Sequence, residues 1–484
     1  MNYKELFAGL SVRLCAESGK PNENTDLTHT ECDPCRADDH ALYVSAHTLF
    51  GNGHDQIDVA YDRGCRFFLT THSPALPEDA AVFLCEEPEA FFGELAARTA
   101  GHPDRLLTVF GVSGSHGKSS ALLLAAGLLM AAGRKVGTLT DDGLFAGDRF
   151  TPRVLPFAPD SSTVIQALHQ MAAAGDEFAF LEFSPYMLAH RSHLGISFSG
   201  VAVTDCQPVQ LAGGAHRSPS QYREHLFSLT RTGAPFCILP GALDNERPKA
   251  GRTLTFGDLC DISAVSPKSE VRNGVLGTAF SLSVERKLYP TFLPHPGTAM
   301  LSGALCAVGL ALCAGLTPEE IARRLPEVQA PGRLCHFIRH KGADIYLDNA
   351  YTPEMLQASL RPLWENVTGR LILLMGAPGC RTRAERSAMG SVAASFADVI
   401  YLTSDDPEGE DPKAICEDIE SGFPSDAFYH IIPNRKTAIH EAVSALAPGD
   451  ILLLIGKSQG TTQRIFTRTL PFSDAEEIMK GLSR

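Results

Sequence analysis

The stretch G-V-S-G-S-H-G-K-S-S, residues 111–120, decides how the chain around it folds. It satisfies the phosphate-loop pattern G-x-x-x-x-G-K-[ST], whose last two positions are Lys118 and Ser119. An apolar run, L-L-T-V-F at residues 106–110, precedes it, and an Ala- and Leu-rich segment follows over residues 119–132. Because this order of strand, glycine-rich turn and helix is the context that a phosphate loop requires, the sequence predicts an α/β domain here.

The chemistry of this loop depends on its glycines and its lysine. The glycines let backbone N–H groups turn towards phosphate oxygens, and the helix that starts at Ser119 adds its positive dipole end. Lys118 is expected to neutralise nucleotide phosphates, and Ser119 is expected to bind Mg²⁺. The predicted cofactor-binding residues of the loop are Gly111, Gly114, Gly117, Lys118, Ser119 and Ser120. The alternative is a glycine-rich strand-to-helix turn with an incidental lysine.

Magnesium also needs a carboxylate partner, and Glu182 is the candidate. It lies near the end of a predicted strand at residues 178–183, where a parallel sheet presents its ligands. We therefore predict that Glu182 is a metal ligand and a catalytic residue together with Lys118. The alternative is a solvated carboxylate at a strand end.

Composition narrows the class of protein. A chain of 484 residues suits roughly three domains. No apolar run reaches the roughly 18 residues that span a bilayer, and the N-terminus lacks the apolar core of a signal peptide. We therefore expect a cytoplasmic protein without membrane insertion. The formal net charge of −14 does not suit binding to a nucleic-acid backbone, so no nucleic-acid partner is expected.

The cysteines indicate structural thiols. There are 13, an odd number, which fits the reduced thiols of a cytosolic protein rather than a disulfide framework. Cys32 and Cys35 form a single C-x-x-C pair, and we find no second pair of ligands at zinc spacing.

The pattern along the chain predicts three α/β domains. Residues 1–104 alternate short strands and helices as a small N-terminal domain that ends in the loop G-H-P-D. Residues 105–330 are predicted to form a mostly parallel sheet around the phosphate loop. Residues 331–484, with short apolar runs at 371–375, 399–403 and 451–455, are predicted to form a Rossmann-like domain.

Several short stretches, read in order, resemble the Mur ligase family, and most closely its MurE branch. They include A-L-Y-V-S-A-H-T-L-F-G-N-G-H-D-Q-I-D-V-A-Y-D-R-G at residues 41–64, the phosphate loop, L-E-F-S at 181–184, P-G-R at 331–333, D-N-A-Y-T-P at 348–353, D-D-P-E-G-E-D-P at 405–412, G-K at 456–457 and F-S-D at 472–474. The resemblance covers nearly the whole chain. Many short matches in one order are more specific than any one of them.

The resemblance implies an ATP-dependent ligase that adds an amino acid to a UDP-N-acetylmuramoyl-peptide in peptidoglycan synthesis. In that family ATP phosphorylates the terminal carboxylate of the precursor, and the amine of the amino acid attacks the acyl-phosphate to give an amide. ATP and Mg²⁺ are the implied cofactors. The precursor and the amino acid are the implied small-molecule partners, and a monomer is expected.

The resemblance also implies roles for single residues. Arg333 and Asp348 would contact the nucleotide, and Ser302 stands where the family has an asparagine that reads adenine. Ser184 and Arg191 are candidates for holding the precursor. The candidates for binding the incoming amino acid are Asp405, Asp406, Pro407, Gly456 and Lys457.

The chain departs from the family at positions that carry chemistry. Val209 and Gln210 replace an Asp-His pair, and Arg223 takes the place of a carbamylated lysine that helps to hold a second metal. Because arginine cannot form that carbamate, Arg223 is a candidate for supplying a fixed positive charge instead. Glu408 replaces the arginine that clamps diaminopimelate, which disfavours that acceptor. The other departures are Tyr186 and Tyr351 for histidines and Ser458-Gln459-Gly460 after Lys457.

Three hypotheses follow. The first is an active ligase with an altered metal arrangement and an acceptor other than diaminopimelate. The second is a non-catalytic paralogue that binds nucleotide or precursor in a regulatory or scaffold role. The third is a ligase of the same fold for another substrate such as a folate, against which the N-terminal domain argues.

Overall fold

The computed structural model describes residues 1–48, 51–152, 159–207, 216–248, 251–457, 460–466 and 468–483. Contacts within the chain divide it into two compact units. The first comprises Met1–Leu122, Ala132–Phe256 and Val308–Leu316, and the second comprises Leu123–Ala131, Gly257–Ala307 and Thr317–Arg484.

The first unit begins with a five-stranded sheet and a separate strand pair. The strands are β1 (Arg13–Leu14), β2 (His29–Glu31), β3 (Ala41–Val44), β4 (His47–Thr48), β5 (Gly51–Asn52), β6 (Phe67–Thr70) and β7 (Ala81–Leu84). The helices are α1 (Tyr3–Leu6), α2 (Ile57–Asp62) and α3 (Pro88–Thr99), with 3-10 turns at Gly53–Gln56 and Pro103–Leu106. The sheet order is β1-β7-β6-β3-β2, and β4 pairs with β5. β3 and β6 are buried along their whole length, as continuous apolar strands of a parallel sheet should be.

The phosphate loop belongs to the larger sheet of the first unit. Its strands are β8 (Thr108–Ser113), β9 (Val136–Leu139), β10 (Gly143–Ala146), β11 (Arg149–Pro152), β12 (Phe178–Glu182), β13 (Gly200–Val203), β14 (Phe236–Pro240) and β15 (Arg252–Phe256). The helices are α4 (Lys118–Ala131), of which the residues from Leu123 on are assigned to the second unit, α5 (Ser161–Ala173), α6 (Pro185–Ala189) and α7 (Pro219–Leu226), with 3-10 turns at Phe227–Arg231 and Gly241–Glu246. The order is β11-β10-β9-β12-β8-β13-β14-β15, and the strands from β9 to β15 in that order are parallel. The carboxyl ends of β12, β8 and β13 therefore meet at one edge.

The strand before the phosphate loop begins later than predicted. Residues 106–110 were expected to be extended, but β8 starts at Thr108. Pro103–Leu106 forms a 3-10 turn with the proline at its first position, and Leu106 is 73% exposed. The apolar Leu106 is thus part of the turn, where proline's fixed φ is favoured, rather than part of the buried strand.

The second unit contains antiparallel strands that the sequence analysis did not predict. These are β16 (Ile262–Arg272), β17 (Val275–Val284) and β18 (Lys287–Leu293). Both connections are two-residue turns with positive φ, Asn273-Gly274 and Glu285-Arg286. Asn-Gly between extended runs is a strong hairpin signal, so the first of these turns was visible in the sequence. The chain continues through α8 (Thr298–Cys313), α9 (Pro318–Arg324) and a 3-10 turn at Leu325–Glu327.

The remainder of the second unit is a second mostly parallel sheet. Its strands are β19 (Cys335–His340), β20 (Ala343–Asp348), β21 (Leu371–Met375), β22 (Val399–Leu402), β23 (Tyr429–Ile431) and β24 (Ile451–Ile455), followed by the pair β25 (Thr462–Ile465) and β26 (Arg468–Pro471). The helices are α10 (Pro353–Trp364), α11 (Arg383–Phe396), α12 (Pro412–Glu420), α13 (Arg435–Ser444) and α14 (Asp474–Leu482). The order is β19-β20-β24-β21-β22-β23, and only β19 is antiparallel to its neighbour.

The predicted α/β class with mostly parallel sheets is confirmed. The boundaries near residues 104 and 330 remain predictions, since the two units are not continuous in the chain. Among the described residues, no helix has the length and apolar character needed to cross a membrane.

A close backbone contact in the first unit gives a test of the fold. A Cβ atom on Gly93 in α3 would lie 2.0 Å from the carbonyl oxygen of Leu194, which cannot move as a side chain would. We expect Gly93→Ala to lower the free energy of unfolding by about 2 kcal/mol. Overpacking costs up to ~3 kcal/mol, which exceeds the ~1 kcal/mol that alanine gains over glycine inside a helix. Urea denaturation measures this. Gly409→Ala is the control, since nothing lies within 4 Å of its Cβ position. A Gly93→Ala protein as stable as wild type would contradict the contact.

Candidate active site

The phosphate loop has the backbone conformation that its glycines predict. Gly114 has a φ of 143° and Gly117 a φ of 75°, values that disfavour other residues. A Cβ on Gly114 would also lie 1.9 Å from Oγ1 of Thr204, at the end of the neighbouring strand β13. The turn between β8 and α4 is therefore packed so closely that only glycine fits at position 114.

Three predicted residues meet at the carboxyl ends of β8 and β12. The Ser119 hydroxyl donates a hydrogen bond to Oε2 of Glu182 over 2.8 Å, and Nζ of Lys118 lies 3.9 Å from Oε1 of the same carboxylate. Lys118 also donates to the carbonyl of Ser115, and the backbone N–H of Asp141 donates to Glu182. All three predicted side chains are at least 90% buried. The charges of Lys118 and Glu182 therefore interact with little screening by water.

The oxygen atoms of Glu182 and Ser119 suit a hard divalent cation that also binds phosphate oxygens. A carboxylate and a serine hydroxyl, 2.8 Å apart, are oxygen ligands of the kind that Mg²⁺ takes in nucleotide sites. Over the described part of the chain, no group of three or more His, Cys, Asp or Glu side chains is arranged to hold a metal ion. The residues therefore fit an ion held by one carboxylate together with substrate phosphates, and not an all-protein cage.

Asp205 supports the phosphate loop from the neighbouring strand end. Its Oδ1 accepts the backbone N–H of His116 over 2.8 Å, and its Oδ2 lies 3.1 Å from Nδ1 of the same histidine. The Thr204 hydroxyl donates to the carbonyl of His116 as well. These contacts fix the loop immediately before Lys118. The sequence analysis did not identify His116 or Asp205 as functional.

Tyr222 of α7 also contacts the phosphate loop. Its hydroxyl lies 2.8 Å from the hydroxyl of Ser115, and the Tyr222 side chain is buried. Burial is the main reason why the pKa of Tyr222 is raised, so the phenol stays protonated near neutral pH. Tyr222 is a second residue of the site that the sequence analysis missed.

The structure places Arg223, the next residue of α7, against Glu246. Its Nη2 and Nε lie 2.7 and 3.1 Å from Oε1 of Glu246, and its guanidinium lies over the ring of Phe227. Its Nη1 lies 3.8 Å from the sulfur of Cys206. The positive charge predicted for this position is thus paired with a carboxylate, and a catalytic role for Arg223 stays a prediction.

The candidates for binding the precursor lie around α6. Ser184 caps this helix, since its hydroxyl accepts the backbone N–H of Met187. The helix α6 ends at Ala189, and Arg191 follows it in a left-handed conformation with a φ of 59°. Nη1 of Arg191 lies 2.8 Å from Oε2 of Glu87. That bond lowers the pKa of Glu87.

Two predicted nucleotide contacts lie together in the second unit. Both oxygens of Asp348, at the end of β20, accept hydrogen bonds, one from the N–H of Leu334 and one from the hydroxyl of Ser359. Burial raises the pKa of Asp348, although these bonds and the charge of Arg333 oppose the shift. Arg333 is itself buried and donates to the carbonyl of Gly332. The predicted adenine contact Ser302 is an exposed residue of α8.

His295 fixes the segment that carries Arg333. The backbone N–H of Ala330 donates to its Nε2 over 3.0 Å, so Nε2 is the unprotonated nitrogen and Nδ1–H donates to the carbonyl of Leu334. The side chain is fully buried, and burial lowers its pKa to about 4. A neutral imidazole thus joins the two ends of the P-G-R turn.

The residues predicted to bind the amino acid lie at neighbouring strand ends. Asp405 and Asp406 follow β22, and Gly456 and Lys457 follow β24. Lys457 forms ion pairs with both carboxylates, at 3.7 Å to Asp405 and closer to Asp406. A Cβ on Gly456 would lie 2.6 Å from Oδ2 of Asp405, so this contact requires glycine. Burial raises the pKa of Asp405, against the lowering effect of Lys457.

The segment after these carboxylates is held by further ion pairs. The carbonyl of Pro407 would lie 2.4 Å from a Cβ on Gly379. Glu408, which replaces the clamping arginine, is paired with Arg464 at 3.1 Å. Arg386 is buried and paired with Glu410 at 2.8 Å. The Glu408 carboxylate therefore already has a counter-ion within the protein.

Some of the noted departures are not described by the structure. Val209, Gln210, Ser458 and Gln459 lie outside the described residues. Tyr186 is described, and its ring lies 4.2 Å from that of His190. Tyr351 is 40% exposed, and the guanidinium of Arg381 lies 5.4 Å from its ring.

The chain is similar to known Mur ligases in sequence and in fold. The family model for the Mur ligase glutamate ligase domain matches residues 332–458. UDP-N-acetylmuramoyl-L-alanyl-D-glutamate–2,6-diaminopimelate ligase of Caldanaerobacter subterraneus subsp. tengcongensis is 27% identical over 100% of this chain and 99% of its own length. Similarity in sequence to a Mur ligase thus extends over the whole chain. Its fold matches a solved diaminopimelate ligase with a TM-score of 0.67 at 21% identity, covering 100% of this chain and 99% of that one. It also matches MurF of Thermotoga maritima in complex with ADP, with a TM-score of 0.62 at 16% identity and coverage of 95% and 98%.

The supporting residues that were not predicted from the sequence share one property. His116, Asp205, Tyr222 and His295 support the backbone or a neighbouring side chain of the predicted site residues. His116 stands inside the phosphate-loop pattern, so its position was a signal. The other three lie far from their partners in sequence and gave none.

The buried imidazole of His295 predicts a pH-dependent contribution to stability. Its pKa is about 4 in the folded state and near 6.5 in the unfolded state, so between these values the unfolded state binds more protons. Its contribution is therefore complete above pH 6.5 and falls by about 2 kcal/mol between pH 7 and 5. We expect the stability advantage of wild type over His295→Gln in urea denaturation to shrink by that amount. A difference between wild type and His295→Gln that stays constant from pH 7 to pH 5 would contradict the assignment.

Proposed function

We propose that this protein is an ATP-dependent amide ligase that joins an amino acid to a UDP-N-acetylmuramoyl-peptide precursor. The observation that carries the proposal is the meeting of Lys118, Ser119 and Glu182 at the phosphate loop. The similarity in sequence to diaminopimelate ligases over the whole chain supports the class of reaction.

The charges of the site suit the first chemical step. The precursor's carboxylate attacks the γ-phosphorus of ATP, the bond to the β,γ-bridging oxygen breaks, and ADP leaves with that bond's electron pair. Two anions must approach each other, so positive charge is needed at the phosphates. Lys118 supplies it from a buried position. Mg²⁺, bound through Ser119 and Glu182, would neutralise and orient the phosphate oxygens.

The second step needs an amino acid with a free amine. The amine attacks the acyl carbon, an amide bond forms, and inorganic phosphate leaves as the amine loses its proton. Asp406 and Lys457 carry opposite charges side by side. A zwitterionic amino acid carries the complementary pair, an ammonium and a carboxylate. We therefore assign its recognition to these residues together with Asp405, Pro407 and Gly456.

The acceptor is proposed to be an amino acid other than diaminopimelate. Glu408 adds negative charge where a distal carboxylate would require a cation, and Arg464 already neutralises it. A distal carboxylate at this position would be repelled by Glu408 or would have to displace it from Arg464.

The deciding measurement is ADP release by the purified protein with ATP, Mg²⁺, UDP-N-acetylmuramoyl-dipeptide and a panel of amino acids. The panel includes L-lysine, L-ornithine and meso-diaminopimelate. We expect release that depends on one amino acid and falls at least about a thousandfold in Lys118→Ala, because a buried charge at the phosphates is lost. Lys135→Ala, which removes an exposed lysine of the same unit, is the control. Nucleotide binding without release for any amino acid would favour the non-catalytic paralogue.

Glu182 predicts the metal dependence of the same reaction. Glu182→Gln keeps the size of the side chain but removes the negative charge that a divalent cation requires. We expect the Mg²⁺ concentration for half-maximal ADP release to rise about tenfold or more. Glu177→Gln, at a half-exposed position just before β12, is the matched control. An unchanged Mg²⁺ dependence in Glu182→Gln would show that this carboxylate is not a metal ligand.

A further inference from the structure

A fully buried ion pair joins the starts of two helices in the second unit. Arg435 is the first residue of α13, and Asp474, in the F-S-D stretch, is the first residue of α14. Nε of Arg435 donates to Oδ1 of Asp474 over 2.8 Å, and Nη2 donates to Oδ2 over 2.6 Å. Both side chains are 0% exposed. This two-bond geometry fixes the plane of the guanidinium.

The guanidinium also binds the backbone at two strand ends. Nη2 donates to the carbonyl of Ile455 over 2.9 Å, and Nη1 donates to the carbonyl of Ser404 over 3.3 Å. Ile455 is the last residue of β24, and Ser404 follows β22. Because β21 lies between these strands, one side chain connects strand ends that are not neighbours in the sheet.

The two connected strand ends carry the residues assigned to the amino acid. Asp405 and Asp406 directly follow Ser404, and Gly456 and Lys457 directly follow Ile455. The clearance between them is small, since a Cβ on Gly456 would lie 2.6 Å from Asp405. A shift of either turn would therefore change the distance from Lys457 to the two carboxylates.

The burial of this pair is not explained by stability alone. Removing two charges from water costs about as much as their attraction returns, so well-packed apolar side chains at such positions are often equally stable. Apolar side chains cannot donate to the carbonyls of Ser404 and Ile455. What the ion pair adds is a fixed set of donors for these two turns.

We infer that Arg435, oriented by Asp474, is a positioning residue that sets the spacing of the two turns which bind the incoming amino acid. This inference rests on the proposed function for the role of the turns. Arg435 contacts neither substrate. It acts through the backbone of Ser404 and Ile455.

The test replaces the pair by apolar side chains of similar volume, in Arg435→Met/Asp474→Leu. We expect a folded protein whose KM for the amino acid rises at least about tenfold through loss of positioning, while its KM for ATP is unchanged. Amide hydrogen exchange of the wild type and the variant gives a readout that needs no substrate. Exchange should accelerate in peptides covering residues 404–408 and 455–457, and not in residues 371–375 of β21.

Two further variants separate positioning from stability. Arg370 and Asp450 form an ion pair at 2.6 Å next to the amino ends of β21 and β24, at the opposite edge of the same sheet. Arg370→Met should therefore leave the KM for the amino acid unchanged. Arg435→Lys keeps the charge beside Asp474 but lacks the planar fork. It should raise the KM for the amino acid and the exchange of both turns, even where the double variant fails to fold.

The inference is overturned if the double variant, or Arg435→Lys where the double variant does not fold, keeps both the wild-type KM for the amino acid and wild-type exchange in the two turns. Absence of amino-acid-dependent ADP release in the wild type would instead refute the proposed function. In that case the exchange comparison alone still decides whether Arg435 fixes the turns.

Discussion

The register between β8 and β12 is the constraint on which the phosphate site depends. Glu182 pairs with Val112 in this parallel ladder, which brings its carboxylate next to the turn that begins two residues after Val112. The carboxylate is 3% exposed, and an anion at that depth is costly without compensation. Lys118 and Ser119 provide that compensation, and both are set by the start of α4. A shift of one residue in this ladder would move Glu182 to the other face of the sheet and remove the compensation.

In the second unit, charged side chains near the strand ends are compensated by ion pairs with one another. Lys457 is paired with Asp405 and Asp406, and Arg464 is paired with Glu408. A ligand with an ammonium and a carboxylate would replace these internal pairs rather than add to them. Its binding energy is then the difference between two sets of ion pairs, which favours ligands whose charges match in number and spacing. The proposed exclusion of diaminopimelate rests on this difference, because Glu408 changes the number of charges that a ligand must match.

The features that were predicted from the sequence are local ones. The bounds of β21 and β24 agree with their apolar runs because both strands are buried on both faces. The phosphate loop was predictable because one short stretch holds its glycines, Lys118 and Ser119. β16 was missed, although Asn273-Gly274 marked its turn, because most of its residues lie near the surface and it has no continuous apolar run. In β17, which is mostly buried, Gly, Thr and Ser residues interrupt the apolar ones. Asp205 and Arg435 were missed because their partners are distant in sequence and are brought near only by the sheets.

Asp205 and Arg435 show why residues that match a family motif are not sufficient for its chemistry. Each is a charged side chain that binds the backbone of a functional turn, His116 in one case and Ser404 with Ile455 in the other. Catalytic distances must hold to within a fraction of an ångström, and glycine-rich turns do not hold them unaided. The carboxylate of Asp205 and the guanidinium of Arg435 restrict these turns through hydrogen bonds to their backbone. Such contacts hold a turn whatever side chains line it, so the residues proposed to meet substrate can differ from those of Mur ligases while the geometry of the turns is kept.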